Sequence, residues 1–347
     1  MIEYVKLKMQ FKVEYPCYLP AYPGSTFRGL FKTALRRTSC QNGIRQCSYC
    51  IWRPDCAYAL ITEYTTDTGE NTVQPYAISC ASTRSGFFDN GEIISLNMLF
   101  VGNAIQYIPT ILKSCEGWQE LDMAFYKFFV SDAKIQQLKG VEKWADQIKP
   151  AGKLLLHSVI QVVRTGQQKI IYDSKKICGS PIIENLSFYD TSENKTWRLK
   201  IRLLSPMRLF RRQRGQSKGS GKKQLIRPET FNFEIFIRAI LTRYCGFQNH
   251  FGYPDDSLES GNMITDRAIE SAKSAILLKN DLFIEKIRRY KRDMTQWEHL
   301  DGLMGEVIFD NVHGSLISWV MIGELLQVGK FPTQGYGEYV AEYELIS

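Results

Sequence analysis

Val5-Lys6-Leu7-Lys8-Met9-Gln10-Phe11-Lys12-Val13-Glu14 alternates apolar and polar side chains without a break. A period of two marks a strand with one face buried and the other, here basic, in water. Pro16, Pro20 and Pro23 follow and cannot continue a hydrogen-bonded ladder. Ser25 or Thr26 can then cap a helix, because Phe27, Leu30, Phe31, Ala34 and Leu35 fall at i, i+3, i+4, i+7 and i+8. Further along, 76–80 and 93–101 read as short strands, 103–115 as a helix and 153–164 as a buried strand, with a hairpin turn at 190–195. Residues 118–151 carry helical stretches but no motif. The order strand, helix, strand, strand, helix, strand is that of the ferredoxin-like fold.

The second half repeats the pattern. Trp197-Arg198-Leu199-Lys200-Ile201-Arg202-Leu203 alternates again, and again its polar positions are basic. Phe233, Phe236, Ile237, Ile240, Leu241 and Tyr244 have the helical period within 231–244, and a second helix is expected over 265–278. Strands at 282–292 and 305–309, a helix at 315–326 and a closing strand at 336–345 complete the set. A chain of 347 residues, 44% of them apolar, can bury two cores. The expectation is an α+β protein of two tandem ferredoxin-like (RRM-like) domains, 1–192 and 193–347.

Charge points to a polyanionic partner. The chain carries +8 overall, yet 198–227 alone holds eleven Lys/Arg and no Asp/Glu, and 286–292 holds five basic residues in seven. The first of these runs includes Arg208, Arg211, Arg212, Arg214, Lys218, Lys222 and Lys223, several within a Gly/Ser-rich stretch that should stay mobile until neutralised. The second includes Arg289. Arg28, Lys32 and Arg36 are spaced four apart and form one stripe on the first helix; three cations with no acidic partner favour an anion. Near the end, Gly329-Lys330-Phe331-Pro332-Thr333-Gln334-Gly335-Tyr336-Gly337 joins helix to strand. Gly335 and Gly337 could bring backbone N–H groups up to a phosphate, with Lys330 as a point charge.

Cys40, Cys47, Cys50 and Cys56 lie within seventeen residues. A Cys-x2-Cys turn aims two thiolates at one ion, and flanking cysteines can complete a tetrahedron. A structural zinc in an insertion of the first domain is the expectation, an iron–sulfur cluster or uncoordinated thiols being the other outcomes. Nine cysteines, an odd number, do not resemble a secreted disulfide framework. No apolar run reaches the length of a membrane span and the first residues alternate in charge, so no membrane association and a cytoplasmic location are expected.

Four stretches carry a resemblance: Pro23-Gly24-Ser25-Thr26-Phe27-Arg28-Gly29 with Cys56-Ala57-Tyr58 behind it; Leu204-Ser205-Pro206-Met207-Arg208-Leu209; Arg288-Arg289-Tyr290-Lys291-Arg292 leading to Gly302-Leu303-Met304-Gly305-Glu306-Val307; and Gly323-Glu324-Leu325-Leu326-Gln327-Val328-Gly329-Lys330 through Gly335-Tyr336-Gly337. In order and spacing the chain resembles the CRISPR repeat-processing endoribonucleases of the RAMP superfamily, in the long form with a C-terminal RNase domain. The resemblance implies two RRM-like folds facing each other across a cleft, a repeat RNA as partner, possible contact with other effector-complex subunits, and cleavage without a catalytic metal. Many members place a histidine in or just after the first helix; this chain has none between Met1 and Lys153.

In the implied reaction a ribose 2′-OH attacks the adjacent phosphate, leaving a 2′,3′-cyclic phosphate and a 5′-OH. It requires a base, an acid and cations for the developing charge. Of His157, His250, His299 and His313, the last is favoured as base because it precedes the helix leading to the glycine-rich turn. Arg28 and Lys32 are the expected charge stabilisers. A RAMP-type RNA-binding subunit that does not cut is the competing reading; a zinc-dependent DNA-binding regulator lacks a recognition helix.

Overall fold

The structure is a computed structural model describing residues 2–41, 47–63, 73–116, 118, 153–186, 195–212, 223–252, 261–290 and 297–346. The hairpin turn expected at 190–195 falls largely, and the stretch 119–151 wholly, outside them. The chain divides into two units, Glu3–Glu184 and Asn185–Ser347, the latter including the N-terminal Met1–Ile2.

The first unit is built on β1 (Glu3–Tyr15), whose alternation becomes its packing: Val5, Leu7, Met9, Phe11 and Val13 are all fully buried, and Lys8 and Lys12 face water. β1 is flanked antiparallel by β3 (Ile93–Val101) and β4 (Lys153–Val162). β2 (Tyr76–Ser79) pairs with β3, so the order is β2-β3-β1-β4, and β5 (Gln168–Asp173) extends the sheet beyond β4. Helix α1 (Gly24–Ser39) lays Phe27, Phe31 and Leu35 on the sheet. A short α2 (Ala57–Thr62) follows the cysteine-rich segment, and α3 (Ile108–Cys115) adds Ile108, Ile111 and Leu112 to the core. Trp118 is buried, stacked on Phe11 with ring centroids 4.4 Å apart.

In the second unit β6 (Thr196–Met207) lies between β8 (Gly302–His313) and β9 (Tyr339–Leu345), and β7 (Ile276–Asn280) pairs with the outer side of β8. The order β7-β8-β6-β9 repeats that of the first unit. Helix α4 (Phe233–Phe251) starts where the Asn232 side chain accepts the Ile235 N–H at 2.9 Å. Its Phe233 and Phe236 meet Phe309 of β8 and Tyr339 of β9 at 5.0 and 5.1 Å. Helix α5 (Gly261–Ala272) follows it, and α6 (Ile317–Leu326) runs between β8 and β9. Both units are therefore ferredoxin-like, as the alternation implied.

Three expectations for the second unit need correction. The helix expected over 265–278 stops at Ala272, and Ile276-Leu277-Leu278 belongs to β7. A short apolar run fits either state locally, and antiparallel pairing to β8 settles it. The single strand expected over 282–292 is instead two short pieces, Phe283–Glu285 against β8 and Arg288–Tyr290 against Trp297–His299. The strand expected over 305–309 extends to the whole of β8, through Gly305 at φ +112°. No helix among the described residues is long and apolar enough to cross a membrane.

Candidate nucleic-acid interface

Helix α1 carries its cations beside its apolar face, and the structure supplies them with a partner that local sequence did not show. Lys32 Nζ donates to Glu63 Oε1 at 2.6 Å, and the Tyr58 hydroxyl donates to the same oxygen at 2.9 Å. Lys32 and Arg36 stand over the Tyr58 ring at 5.9 and 5.4 Å. Burial pushes the Glu63 carboxyl up, but the hydrogen bonds from Lys32 and Tyr58 and the charge of Arg28 outweigh it and hold it below the usual range. Burial, with the Glu63 carboxylate beside it, raises Tyr58 to about 12. Burial likewise works against the Arg36 charge, yet Tyr58, Cys47 and Cys40 hold its pKa above the ordinary value. Arg28 differs from both. It acts on Glu63 only through space, with no ion pair among the described residues, and its Nε is buried without a hydrogen-bond partner there.

The glycine-rich turn does not have the role expected of its amides. The Gly335 N–H donates to Pro332 O at 3.1 Å and the Gly337 N–H to Pro206 O at 3.0 Å; both residues are buried. Gly337, at φ +78°, lets the turn lie directly on the Val328 carbonyl, where a Cβ would collide. Gly329, at φ +94°, sits where a Cβ would come within 2.6 Å of Arg208 O. The glycines thus clamp the turn onto the end of β6, and the Gly335 and Gly337 amides are already used. The Lys330 side chain is exposed while its backbone N–H is tied to Arg208 O at 2.9 Å. Arg208 is engaged in turn: its Nη1 donates to Asp301 O at 2.8 Å and its guanidinium lies 5.6 Å from the Phe210 ring and 5.4 Å from that of Phe331.

The polar face of β6 is basic in sequence and close to neutral in the fold. Arg198 bridges Asp310 and Glu344 at 3.0 and 3.3 Å, and Lys200 bridges Glu306 and Glu342 at 3.4 and 3.6 Å. Arg211 is exposed at the foot of a short hairpin in which it pairs with Gln224, and Arg212 pairs with Lys223 in the backbone register. Arg289 pairs in register with Glu298. Arg214, Lys218 and Lys222, with the mobility expected of their segment, lie outside the described residues.

His313 ends β8 opposite Thr196. Its Nδ1 accepts the Ser315 N–H at 3.3 Å and lies 2.8 Å from the Ser315 hydroxyl. An amide can only donate, so Nδ1 bears no proton and in the neutral ring Nε2 does. In this arrangement Nε2–H is a hydrogen-bond donor, and the ring has no free nitrogen with which to take a proton.

Cys40, Cys47 and Cys56 are close enough to influence one another or Arg36 electrostatically. Four thiols suit zinc chemically, but among the described residues no three His, Cys, Asp or Glu side chains are placed to hold a metal ion. The residues missed from sequence are Glu63 and Tyr58. The one available signal was their position beyond the last cysteine, and nothing in the spacing linked them to α1.

A family model described as the AF_1859_N N-terminal domain matches residues 2–174. A search of curated proteins finds no match. Among solved structures, a Cas6 product complex is 12% identical over 99% of this chain and 100% of the other, with a TM-score of 0.52. Thermus thermophilus Cas6 is 13% identical over 99% of each chain, with a TM-score of 0.48. A chain of a partial Cas6-RT-Cas1–Cas2 complex is 10% identical over 99% of this chain and 46% of its own length, with a TM-score of 0.50. Two ferredoxin-like units in one chain, each with the same strand order, give this protein the fold of the Cas6 structures along its whole length.

Proposed function

We propose that this chain binds CRISPR repeat RNA and cuts it by attack of a ribose 2′-OH on the adjacent phosphate, giving a 2′,3′-cyclic phosphate and a 5′-OH. The observation that carries the reading is the likeness to a Cas6 product complex over 99% of the chain. The α1 stripe, with Arg28 hydrogen-bonded less fully than its chemistry allows, supports it. Such a reaction needs a base, an acid and a cation, all of which side chains can supply. Arg28 is assigned the developing phosphate charge, with Lys32 and Arg36 keeping the helix face positive. His313, the base expected from sequence, is assigned a hydrogen-bonding role through Nε2–H, because its Nδ1 is taken by the Ser315 amide and loss of the Nε2 proton would leave an imidazolate. Contacts with other CRISPR effector subunits belong to the same proposal. A zinc ion on Cys40, Cys47, Cys50 and Cys56 would be structural, and metal analysis of the purified chain tests it: a metal-free protein rejects it.

Two observations favour a second reading. The Nδ1 of His313 is already occupied, and no histidine precedes Lys153, which suits an RNA-binding subunit that does not cut. Incubating the chain with its own repeat RNA in EDTA separates the two. Specific cleavage supports the enzyme, whereas tight binding with intact RNA supports the scaffold.

A further inference from the structure

Between α1 and α2 the chain presents large side chains to water. Tyr49 and Ile51 are each 80% exposed and Trp52 is 51% exposed, in a unit whose other tryptophan within the described residues, Trp118, is buried. The backbone that carries them is ordered. Cys50 N–H bonds to Cys47 O at 3.2 Å, Arg53 N–H to Cys50 O at 3.1 Å and Cys56 N–H to Arg53 O at 3.3 Å, so two successive 3₁₀ turns hold the segment. Neither the Tyr49 nor the Trp52 ring has an aromatic, cationic or hydrogen-bonding partner among the described residues. Two flat rings, one mostly and one half exposed, are therefore carried on the same hydrogen-bonded turn.

The charge around them selects the occupant. From Arg36 to Arg53 the sequence has four arginines and no acidic residue, the first carboxylate beyond them being Asp55. Arg36 lies against Cys40 and Cys47, which joins the basic end of α1 to this turn. Exposed aromatic faces bordered by arginines are the composition that binds unpaired nucleotides: the rings stack on bases of any identity and the cations track the phosphates. The same residue types anchor protein interfaces, an occupant that would leave single-strand RNA binding unaffected by loss of the two rings.

We propose that Tyr49 and Trp52 form a stacking platform for two unpaired bases of a single-stranded RNA, with Arg37 and Arg53 on the flanking phosphates. The inference rests on the RNA-binding reading above and adds a subsite for single strand, separate from the α1 stripe assigned to the reacting phosphate.

The test uses the full chain, with fluorescence anisotropy of a labelled twelve-nucleotide oligouridylate and of a blunt RNA duplex at low salt. The double variant Tyr49→Ala/Trp52→Ala is expected to weaken binding of the single strand roughly a hundredfold, about tenfold per stacked base, and to leave duplex binding and the thermal melt unchanged. Trp52→Phe should retain most of the affinity. A double variant that binds the single strand as the parent does overturns the platform and leaves the RNA reading standing, the patch then being a protein contact. Equal losses on both probes also overturn it, because stacking discriminates between them and charge does not. A parent chain that binds neither probe removes the RNA reading and this inference together.

Discussion

Glu63 lies thirty-one residues from Lys32 in sequence and 2.6 Å from it in the fold, and this one pairing changes what each cation of α1 can do. Lys32 is paired with the Glu63 carboxylate, whereas Arg28 meets that charge only through space and keeps a buried Nε with no partner among the described residues. On the proposed function, Arg28→Ala therefore weakens RNA binding more than Lys32→Ala and lowers the salt slope by about 0.7, the share of one single-strand phosphate contact. Binding isotherms from 50 to 300 mM salt check this, and a larger effect of Lys32→Ala contradicts it. The same pair sets a pH dependence. The folded Glu63 carboxyl is held below its ordinary value of 4.5, so its contribution is complete above that value and is lost as pH falls through the lower folded one. Glu63→Gln should melt earlier than the parent at pH 7, by an amount on the order of 0.5 kcal/mol for so exposed a pair. Scanning calorimetry should find this gap closing under acid conditions; a gap independent of pH would mean that the ion pair is not its source.

At the scale of elements, the glycine-rich turn is where sequence and structure diverge most. Gly335 and Gly337 were readable as residues able to take unusual backbone, and both, like Gly329, have positive φ. Their spacing could not show that the freed amides return to Pro206 and Pro332, because that depends on where the end of β6 lies. Gly337→Ala places a Cβ on the Val328 carbonyl and is expected to destabilise the fold by about 2–3 kcal/mol. Gly29→Ala, in the interior of α1 with nothing within 4 Å of the new Cβ, should stabilise it by about 0.5–1 kcal/mol. Urea denaturation of the two variants measures both; equal stabilities would remove the clamp from the account. The polar face of β6 shows the same limit. Alternation at Arg198, Lys200 and Arg202 gave the strand and its buried side correctly. The charge of its outer face was set by Asp310, Glu306, Glu342 and Glu344 on neighbouring strands, and register is not written in one strand's alternation. Helix α5 and β7 were misjudged for a related reason, a short apolar run whose state is fixed by pairing.

Across the whole molecule, two periodicities were enough for the architecture: a period of two in β1 and β6, and of 3.6 in α1 and α4. Each repeats in the same order, and the order returns the same sheet topology in both units. The chemistry is less legible. A cation stripe can be read from spacing, but whether a histidine donates or accepts depends on a backbone amide two residues away, and the thiols between α1 and α2 come from a segment whose sequence has no periodicity. The central claim concerns the nucleophile, and a repeat RNA carrying a single 2′-deoxy nucleotide immediately 5′ of the scissile phosphate tests it most directly. Incubated with the full chain in EDTA, unmodified repeat RNA should give a product whose mass shows a 2′,3′-cyclic phosphate, while the deoxy RNA should bind with unchanged affinity and stay intact. Cutting of the deoxy RNA at the same position would contradict the account.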